Sequence, residues 1–214
     1  ASKVRVVYEG VDPSFVPASP EEVAALRREL AAPDGYILYI GTLEPRKNVS
    51  VLLSAWEILK RETPETPPLL LAGGTGWHSR SLLARIAALS PSGVRFLGRV
   101  EPERLVQLFQ GARAFAYPSL YEGFGLPPLE ALACGVPTVV SDASSLPEVV
   151  GNAALKVPPQ DAESLALALK KILNEPAGAA ELSRRGVLRA AGFRWDRAAR
   201  EMAAVFREAL EAID

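Results

Sequence analysis

The apolar residues of this chain fall into short continuous runs that alternate with longer amphipathic stretches. Five such runs occur between residues 36 and 142, and each ends at Gly, Ser or Asp. In sequence letters they are YILYIG, PLLLAGG, VRFLG, RAFAYPS and VPTVVSD. Continuous apolar runs of four to six residues are typical of strands that are buried on both faces, as in a parallel sheet.

Helical patterns lie between these predicted strands. Asn48 precedes VSVLLSAWEILKRE and can cap it, and Ser79 or His78 precedes SLLARIAALS. Glu101 and Pro102 start ERLVQLFQGA, and proline is well tolerated at the first helical position. Alternation of strand and helix predicts an α/β fold, a Rossmann-like doubly wound parallel sheet, over residues 36–175.

The two ends of the chain have a different pattern. Residues 1–35 contain VDPSFVPASPEEVAALRREL, a proline-punctuated connection that leads into one helix and that we interpret as a tether. After residue 160 the strands stop, and three helical segments follow with apolar residues at three- and four-residue spacing. Residues 176–214 are therefore predicted to add extra C-terminal helices to one large domain.

Composition narrows the class of protein. The 214 residues carry a formal net charge of −1, with 49% hydrophobic and 23% charged residues, which is typical of a soluble globular domain and gives no indication of nucleic-acid binding. No apolar run approaches the ~20 residues of a membrane span, and the first residues do not resemble a signal peptide. Cys134 is the single cysteine, which fits a reducing compartment. We therefore expect a cytoplasmic location.

Chemically distinctive loops follow four of the predicted strands. Ligands of an open parallel sheet bind beyond the carboxyl ends of its strands. The loops are GTLEPRKN at 41–48, GGTGWHS at 73–79, the pair Arg99 and Val100, and LYEGFGLPPLE at 120–130. Glycines, two adjacent cations and two acids are thus predicted at one edge of the sheet.

Arg46 and Lys47 are the first candidate site. An isolated basic pair is usually a solvated surface feature. This pair, however, precedes a helix N-terminus, where backbone N–H groups and the helix dipole already favour an anion. We therefore expect an anionic ligand such as a phosphate near them.

Glu122 and Glu130 are the second candidate site. Gly123 and Gly125 lie between them and let the backbone approach a ligand closely. A carboxylate accepts two hydroxyl donors at once, so it suits a vicinal diol. One acid is expected to hold a ribose and the other a sugar ring, with phosphates between them.

Other conspicuous residues have structural interpretations. His78, the single histidine, is interpreted as a capping or surface residue, and no metal site is expected. Cys134 is expected to be a packed core thiol because no base partner is evident. Trp56 and Trp195 lie on helical stripes and are predicted to be in the core, whereas Trp77 lies in a loop and is free to pack against a ligand or a second domain.

At these motifs the chain resembles the C-terminal half of a retaining glycosyltransferase of family 4 with the GT-B fold. The resemblance rests on E-x7-E at Glu122 to Glu130 with its GFGLP core. It also rests on GTLEPRKN, AGGTGW, VRFLGRV, YPSLYEGFG, EALACGVPTVVSD and FRWDRAA in the expected order. It covers about residues 4–209, and it favours bacterial mannosyltransferases of surface-polysaccharide assembly.

The resemblance implies a site for a nucleotide-sugar donor, a GDP- or UDP-sugar with GDP-mannose slightly favoured, and no further cofactor or metal. It implies that Lys47 and Arg46 bind the diphosphate and stabilise the leaving group, that Glu130 holds the ribose and that Glu122 faces the transferred sugar. The remaining implied donor-binding residues are Gly41, Thr42, Arg99 and Val100 near the base, Gly123, Phe124, Gly125 and Leu126. Thr42 stands where many relatives have arginine, and Asn48 where others have glycine.

The family's N-terminal, acceptor-binding domain is absent from these 214 residues. The resemblance implies that the C-terminal helices pack back toward that domain, that this chain alone binds donor but transfers little or nothing, and that the whole enzyme is peripheral to the inner membrane. An alternative is a non-catalytic nucleotide-sugar-binding module that acts through a partner chain. A nicotinamide-dependent Rossmann enzyme is disfavoured because AGGTG lacks the third glycine of the dinucleotide fingerprint.

Overall fold

A computed structural model describes residues 4–211 and contains, within that range, one parallel sheet of six strands. The strands are β1 Ile37–Ile40, β2 Leu69–Ala72, β3 Val94–Gly98, β4 Ala114–Tyr117, β5 Thr138–Ser141 and β6 Leu155–Val157. The first five coincide with the five apolar runs, so the predicted strands are confirmed. The sequence pattern did not predict β6, because this strand is only three residues long and has the exposed Lys156 at its centre. It therefore forms no apolar run.

The strand order is β3-β2-β1-β4-β5-β6, which confirms the Rossmann-like doubly wound sheet. Ile37 of β1 pairs with Leu69 on one side and with Ala114 on the other. The chain therefore reverses its winding direction between β1 and β4. In folds of this class a ligand crevice opens at that reversal point, beyond the carboxyl ends of the strands.

Helices flank the sheet. Between residues 4 and 211 they are α1 Pro20–Glu29, α2 Val49–Glu62, α3 Arg80–Leu89, α4 Pro102–Gly111, α5 Leu126–Ala133, α6 Leu146–Val150, α7 Ala162–Asn174, α8 Pro176–Ala190 and α9 Trp195–Glu211. The predicted starts near Asn48, Ser79 and Glu101 are confirmed. The capping role proposed for Asn48 is wrong, however, since its side chain makes no bond to α2. Its side-chain amide instead donates to the carbonyls of Pro118 and Pro159.

The core forms where the helices cover both faces of the sheet. All residues of β1, β2, β4 and β5 are buried. Trp56 is buried as predicted, and its indole N–H donates to the carbonyl of Pro67. The same prediction is wrong for Trp195, which is 50% exposed. It begins α9, a helix with no buried residue over Trp195–Glu211, so its apolar stripe faces outward.

The segments before β1 and after α7 both pack against the sheet domain, through different contacts. The N–H of Val11 donates to the carbonyl of Phe193, and α1 packs against α4. Helix α8 packs against α5 so closely that a Cβ at Gly186 would lie 3.2 Å from the carbonyl oxygen of Leu132. Of the predicted C-terminal helices, α8 thus belongs to the helical layer of the sheet. Packing toward a further domain remains a prediction, for which α9 offers the exposed side chains of Met202, Phe206 and Leu210.

Candidate functional site

A cleft of about 420 Å³ opens at the carboxyl ends of β1 and β4, at the reversal point of the sheet. Eight of the predicted site residues line it: Gly41, Thr42, Arg46, Lys47, Glu122, Phe124, Gly125 and Leu126. The topology therefore brings together two loops that lie about 75 residues apart in sequence. Tyr117 and Glu44 also line the cleft, and neither was among the predicted site residues.

Lys47 is held at the side of this cleft by two hydrogen bonds. It ends a short 3-10 helix, Pro45–Lys47, and is 9% exposed. Its Nζ donates to the hydroxyl of Tyr117 at 2.8 Å and to Oε1 of Glu122 at 2.7 Å. An ammonium group has three N–H donors, so one donor of Lys47 is left for a ligand.

Arg46 is more fully engaged. Its Nη1 donates to Oε2 of Glu122 at 3.1 Å and to the carbonyl of Tyr121 at 2.7 Å. Its Nε and Nη2 donate to Oε1 of Glu44 at 3.1 and 2.8 Å. Four of the five guanidinium donors thus bind protein acceptors.

The cluster of Glu44, Arg46, Lys47 and Glu122 is formally neutral, since two carboxylates match two cations. The adjacent cations Arg46 and Lys47 predicted a positive site, but Glu44 and the distant Glu122 compensate their charge. Burial raises the pKa of Glu122, but hydrogen bonds and charge, with the hydrogen bond of Lys47 as the largest of these contributions, hold that pKa below its ordinary value. Glu122 is therefore ionised at neutral pH, and any anion that binds here competes with it for the cations.

Serines after β5 support the loop that carries Glu122. The backbone N–H of Glu122 donates to Oγ of Ser144 at 2.9 Å, and Oγ of Ser145 donates to the carbonyl of Phe124 at 2.7 Å. Gly125 has a φ of +112°, and a Cβ there would lie 2.8 Å from the side chain of Leu146. These serines were not among the predicted site residues, although their position in SDASS, just beyond the carboxyl end of β5, was an available signal.

Glu130 lies one helical turn after Leu126 on α5, so both side chains lie on the same face of that helix. It does not line the cleft itself, and it is partly buried. Among residues 4–211 its carboxylate has no hydrogen-bond or ion-pair partner. Burial, with a smaller contribution from the charge of Asp12, raises its pKa from 4.5 to about 7. A partly buried carboxylate without a donor is suited to accept hydroxyl groups from a ligand.

Three further predicted site residues, Arg99, Val100 and Gly123, do not line the cleft. Arg99 is exposed after β3, and its side chain passes over Gly74, where a Cβ would lie 3.1 Å from Nε. Val100 is partly buried against the core, and Gly123 is exposed. The structure thus leaves Arg99 and Gly123 accessible at the carboxyl edge.

The other conspicuous residues do not join this cluster. Cys134 is buried, and burial raises the pKa of its thiol to about 12, as expected for a core thiol. His78 packs edge-on against Trp77, which is 60% exposed. In the part of the chain that the structure describes, no group of three or more His, Cys, Asp or Glu side chains is arranged to hold a metal ion.

Gly73 gives a direct test of how the loops after β1 and β2 fit together. Its φ is +140°, and a Cβ there would lie 2.1 Å from the carbonyl oxygen of Gly41. We expect Gly73→Ala to lower the free energy of unfolding by about 2–4 kcal/mol in urea denaturation. The control is Gly98→Ala, where φ is +68° but nothing lies within 4 Å, so that only about 1 kcal/mol is expected. Equal losses in the two variants would contradict the close contact.

Sequence comparison decides the family. Residues 24–189 match the family model described as glycosyl transferases group 1. The chain belongs to this family. Its relatives include the O-antigen chain mannosyltransferase B of Escherichia coli, which is 42% identical over 184 residues. That match covers 85% of this chain and 48% of the relative, so the chain spans about half the length of this relative.

Solved structures agree with the group 1 fold. Sucrose-phosphate synthase from Thermosynechococcus elongatus matches with a TM-score of 0.80 at 30% identity, covering 97% of this chain and 53% of that one. HepE from Anabaena in complex with UDP-glucose matches with a TM-score of 0.83 at 22% identity, covering 95% and 57%. The neighbours are GT-B glycosyltransferases, so the chain has the fold of the C-terminal half of a GT-B enzyme. Within the described residues no helix is long and apolar enough to cross a membrane.

Proposed function

We propose that this group 1 domain is the donor-binding half of a glycosyltransferase that uses a nucleotide-diphosphate sugar. The observation that carries the proposal is the meeting of Lys47 and Glu122 beside a cleft at the reversal point of the sheet, 2.7 Å apart. An anion-binding cation and a hydroxyl-binding carboxylate are the two groups that such a donor requires.

In this proposal the diphosphate lies against Lys47 and Arg46. Lys47 offers its remaining N–H donor, and Arg46 offers its fifth. When the bond from the sugar to the diphosphate breaks, negative charge develops on the leaving group. Fixed cations stabilise that charge in a partly dehydrated cleft without reorganising during the reaction. In the structure Glu122 bridges both cations. The incoming diphosphate replaces Glu122 as a partner of Lys47 and Arg46, and the carboxylate of Glu122 is then available to face the sugar.

The nucleoside lies toward α5 and β3. Glu130 accepts the two ribose hydroxyls, and Arg99 with Val100 lies near the base. Backbone groups of Gly123, Phe124 and Gly125 contact sugar and phosphate. The absence of a protein donor for the Glu130 carboxylate among residues 4–211 supports the ribose assignment.

The transferred sugar is proposed to be a hexose, with mannose from GDP-mannose favoured and its anomeric configuration retained. The O-antigen mannosyltransferase relative supports mannose. The HepE complex with UDP-glucose supports a nucleotide-sugar for this fold but favours a different base. Calorimetric titration with GDP-mannose, GDP-glucose and UDP-glucose separates these choices. We expect GDP-mannose to bind most tightly, and tighter binding of UDP-glucose would overturn the preference for GDP.

A second candidate function is a non-catalytic nucleotide-sugar-binding module that acts through a partner chain. It is considered because the chain spans about half of its relative. Joining the N-terminal half of that relative to this chain tests it. We expect transfer of mannose to appear in the joined protein and to be negligible with the chain alone. A joined protein that binds donor and transfers nothing, while the intact relative is active, would favour the module.

A further inference from the structure

Asn48 occupies an unusual backbone position between two helices. It follows the 3-10 helix Pro45–Lys47 and precedes α2, with φ +55° and ψ +33°. Its N–H donates to the carbonyl of Pro45, and its carbonyl accepts from Val51. Glycine and asparagine adopt this left-handed conformation at low cost. The chain can therefore change direction directly after Lys47.

The side chain of Asn48 does more than tolerate this conformation. Its Nδ2 donates to the carbonyl of Pro118 at 3.0 Å and to that of Pro159 at 2.5 Å. Pro118 follows β4, and Pro159 lies beyond the end of β6. An amide NH₂ group has two donors, and both are used here. Asn48 thus ties the loop after β1 to the ends of two other strands, 70 and 111 residues away.

We propose that Asn48 is a positioning residue for the donor diphosphate and that it acts through its neighbour Lys47. The inference rests on the proposed function and adds a residue to it. The lysine side chain is long and flexible, so the direction of its ammonium group depends on a fixed backbone origin. Small displacements of a charged group reduce its contribution to ligand binding strongly. A glycine at this position would allow the turn but would not tie it to β4 and β6.

The test compares two variants of this chain. Asn48→Gly keeps the left-handed backbone and removes both side-chain bonds. Asn48→Asp keeps the size of the side chain but turns an oxygen toward two carbonyl oxygens. Asn152→Gly, in an exposed turn, is the matched control. Calorimetry gives the affinity of each protein for GDP and guanosine and for UDP and uridine.

We expect Asn48→Gly to reduce the preference for the diphosphate over its nucleoside by about tenfold and Asn48→Asp to reduce it further, with nucleoside affinity unchanged. Asn152→Gly should bind like the parent chain. Equal weakening of nucleoside and diphosphate would indicate a merely structural role and would overturn the inference. So would an unchanged preference in Asn48→Gly.

The same data separate this inference from the proposed function. If the parent chain prefers diphosphate and Asn48→Gly does so equally, only the role of Asn48 fails. If the parent chain binds nucleoside and diphosphate equally, or binds neither, the diphosphate site at Lys47 fails and the role of Asn48 fails with it. Should Asn48→Asp not fold, the result for Asn48→Gly decides, since glycine accepts a φ of +55° without strain.

Discussion

Glu130→Gln is expected to make the protein more stable at pH 8 while it weakens nucleotide binding. The pKa of Glu130 is about 7 in the folded protein against an ordinary 4.5, so the folded state holds the proton more tightly than the unfolded state. Stability from this group is complete below pH 4.5 and is lost as pH rises toward 7. Above pH 7 the folded protein carries a partly desolvated carboxylate, and glutamine removes that cost.

We expect urea denaturation to show a gain on the order of 1–3 kcal/mol for Glu130→Gln at pH 8 and almost none at pH 4.5. Glu65→Gln, at an exposed position in a turn, is the control and should show no gain at either pH. A stability difference that is the same at both pH values would contradict a raised pKa.

Nucleotide affinity tests whether Glu130 binds the ribose hydroxyls. We expect Glu130→Gln to lose about tenfold or more in affinity for the preferred nucleoside diphosphate, because a neutral amide replaces a charged acceptor. The 2′-deoxy form of that nucleotide should bind more weakly than the ribose form to the parent chain but equally to the variant. An undiminished preference for ribose in the variant would assign the hydroxyl contact to another group.

Lys47→Met is expected to abolish the preference for nucleoside diphosphates over nucleosides. Methionine keeps much of the apolar stem but has no charge and no donor. We expect about a hundredfold loss of GDP or UDP affinity in calorimetry, with nucleoside affinity retained. Lys170→Met is the matched control, because Lys170 forms an exposed ion pair with Glu62 away from the cleft.

The same Lys47 variant should also be less stable than the parent chain. It removes the ion pair between Lys47 and the buried carboxylate of Glu122, and it removes the hydrogen bond that the Tyr117 hydroxyl accepts from Lys47. A loss of about 1–3 kcal/mol in the free energy of unfolding is expected. Retained diphosphate preference in a folded Lys47→Met protein would show that the phosphate lies elsewhere.

The sheet could be predicted from the sequence because its strands are buried on both faces, and such strands form apolar runs. β6 escaped prediction because its centre is exposed, and Trp195 was misplaced because a helical stripe does not reveal what covers it. Periodicity indicates that α9 has an apolar face, and only the structure shows that this face is open among the described residues.

The site could be predicted in outline, because the carboxyl ends of parallel strands meet at one edge. What the sequence could not give is the pairing across loops. Glu122 bridges Lys47 and Arg46, and Asn48 binds the carbonyls of Pro118 and Pro159, only after strands β1, β4 and β6 are aligned. Contacts between distant segments have no local pattern, so the compensated charge and the tie through Asn48 required the structure.

Backbone hydrogen exchange with and without nucleoside diphosphate tests the central claim most directly. An apolar groove of about 590 Å³ between residues 11–17 and 187–196 is larger than the cleft, so the experiment must distinguish binding at these two places. A donor site at the reversal point of the sheet predicts protection in 41–48 and 121–130 and none at the groove. Protection confined to 11–17 and 187–196 would contradict the donor site.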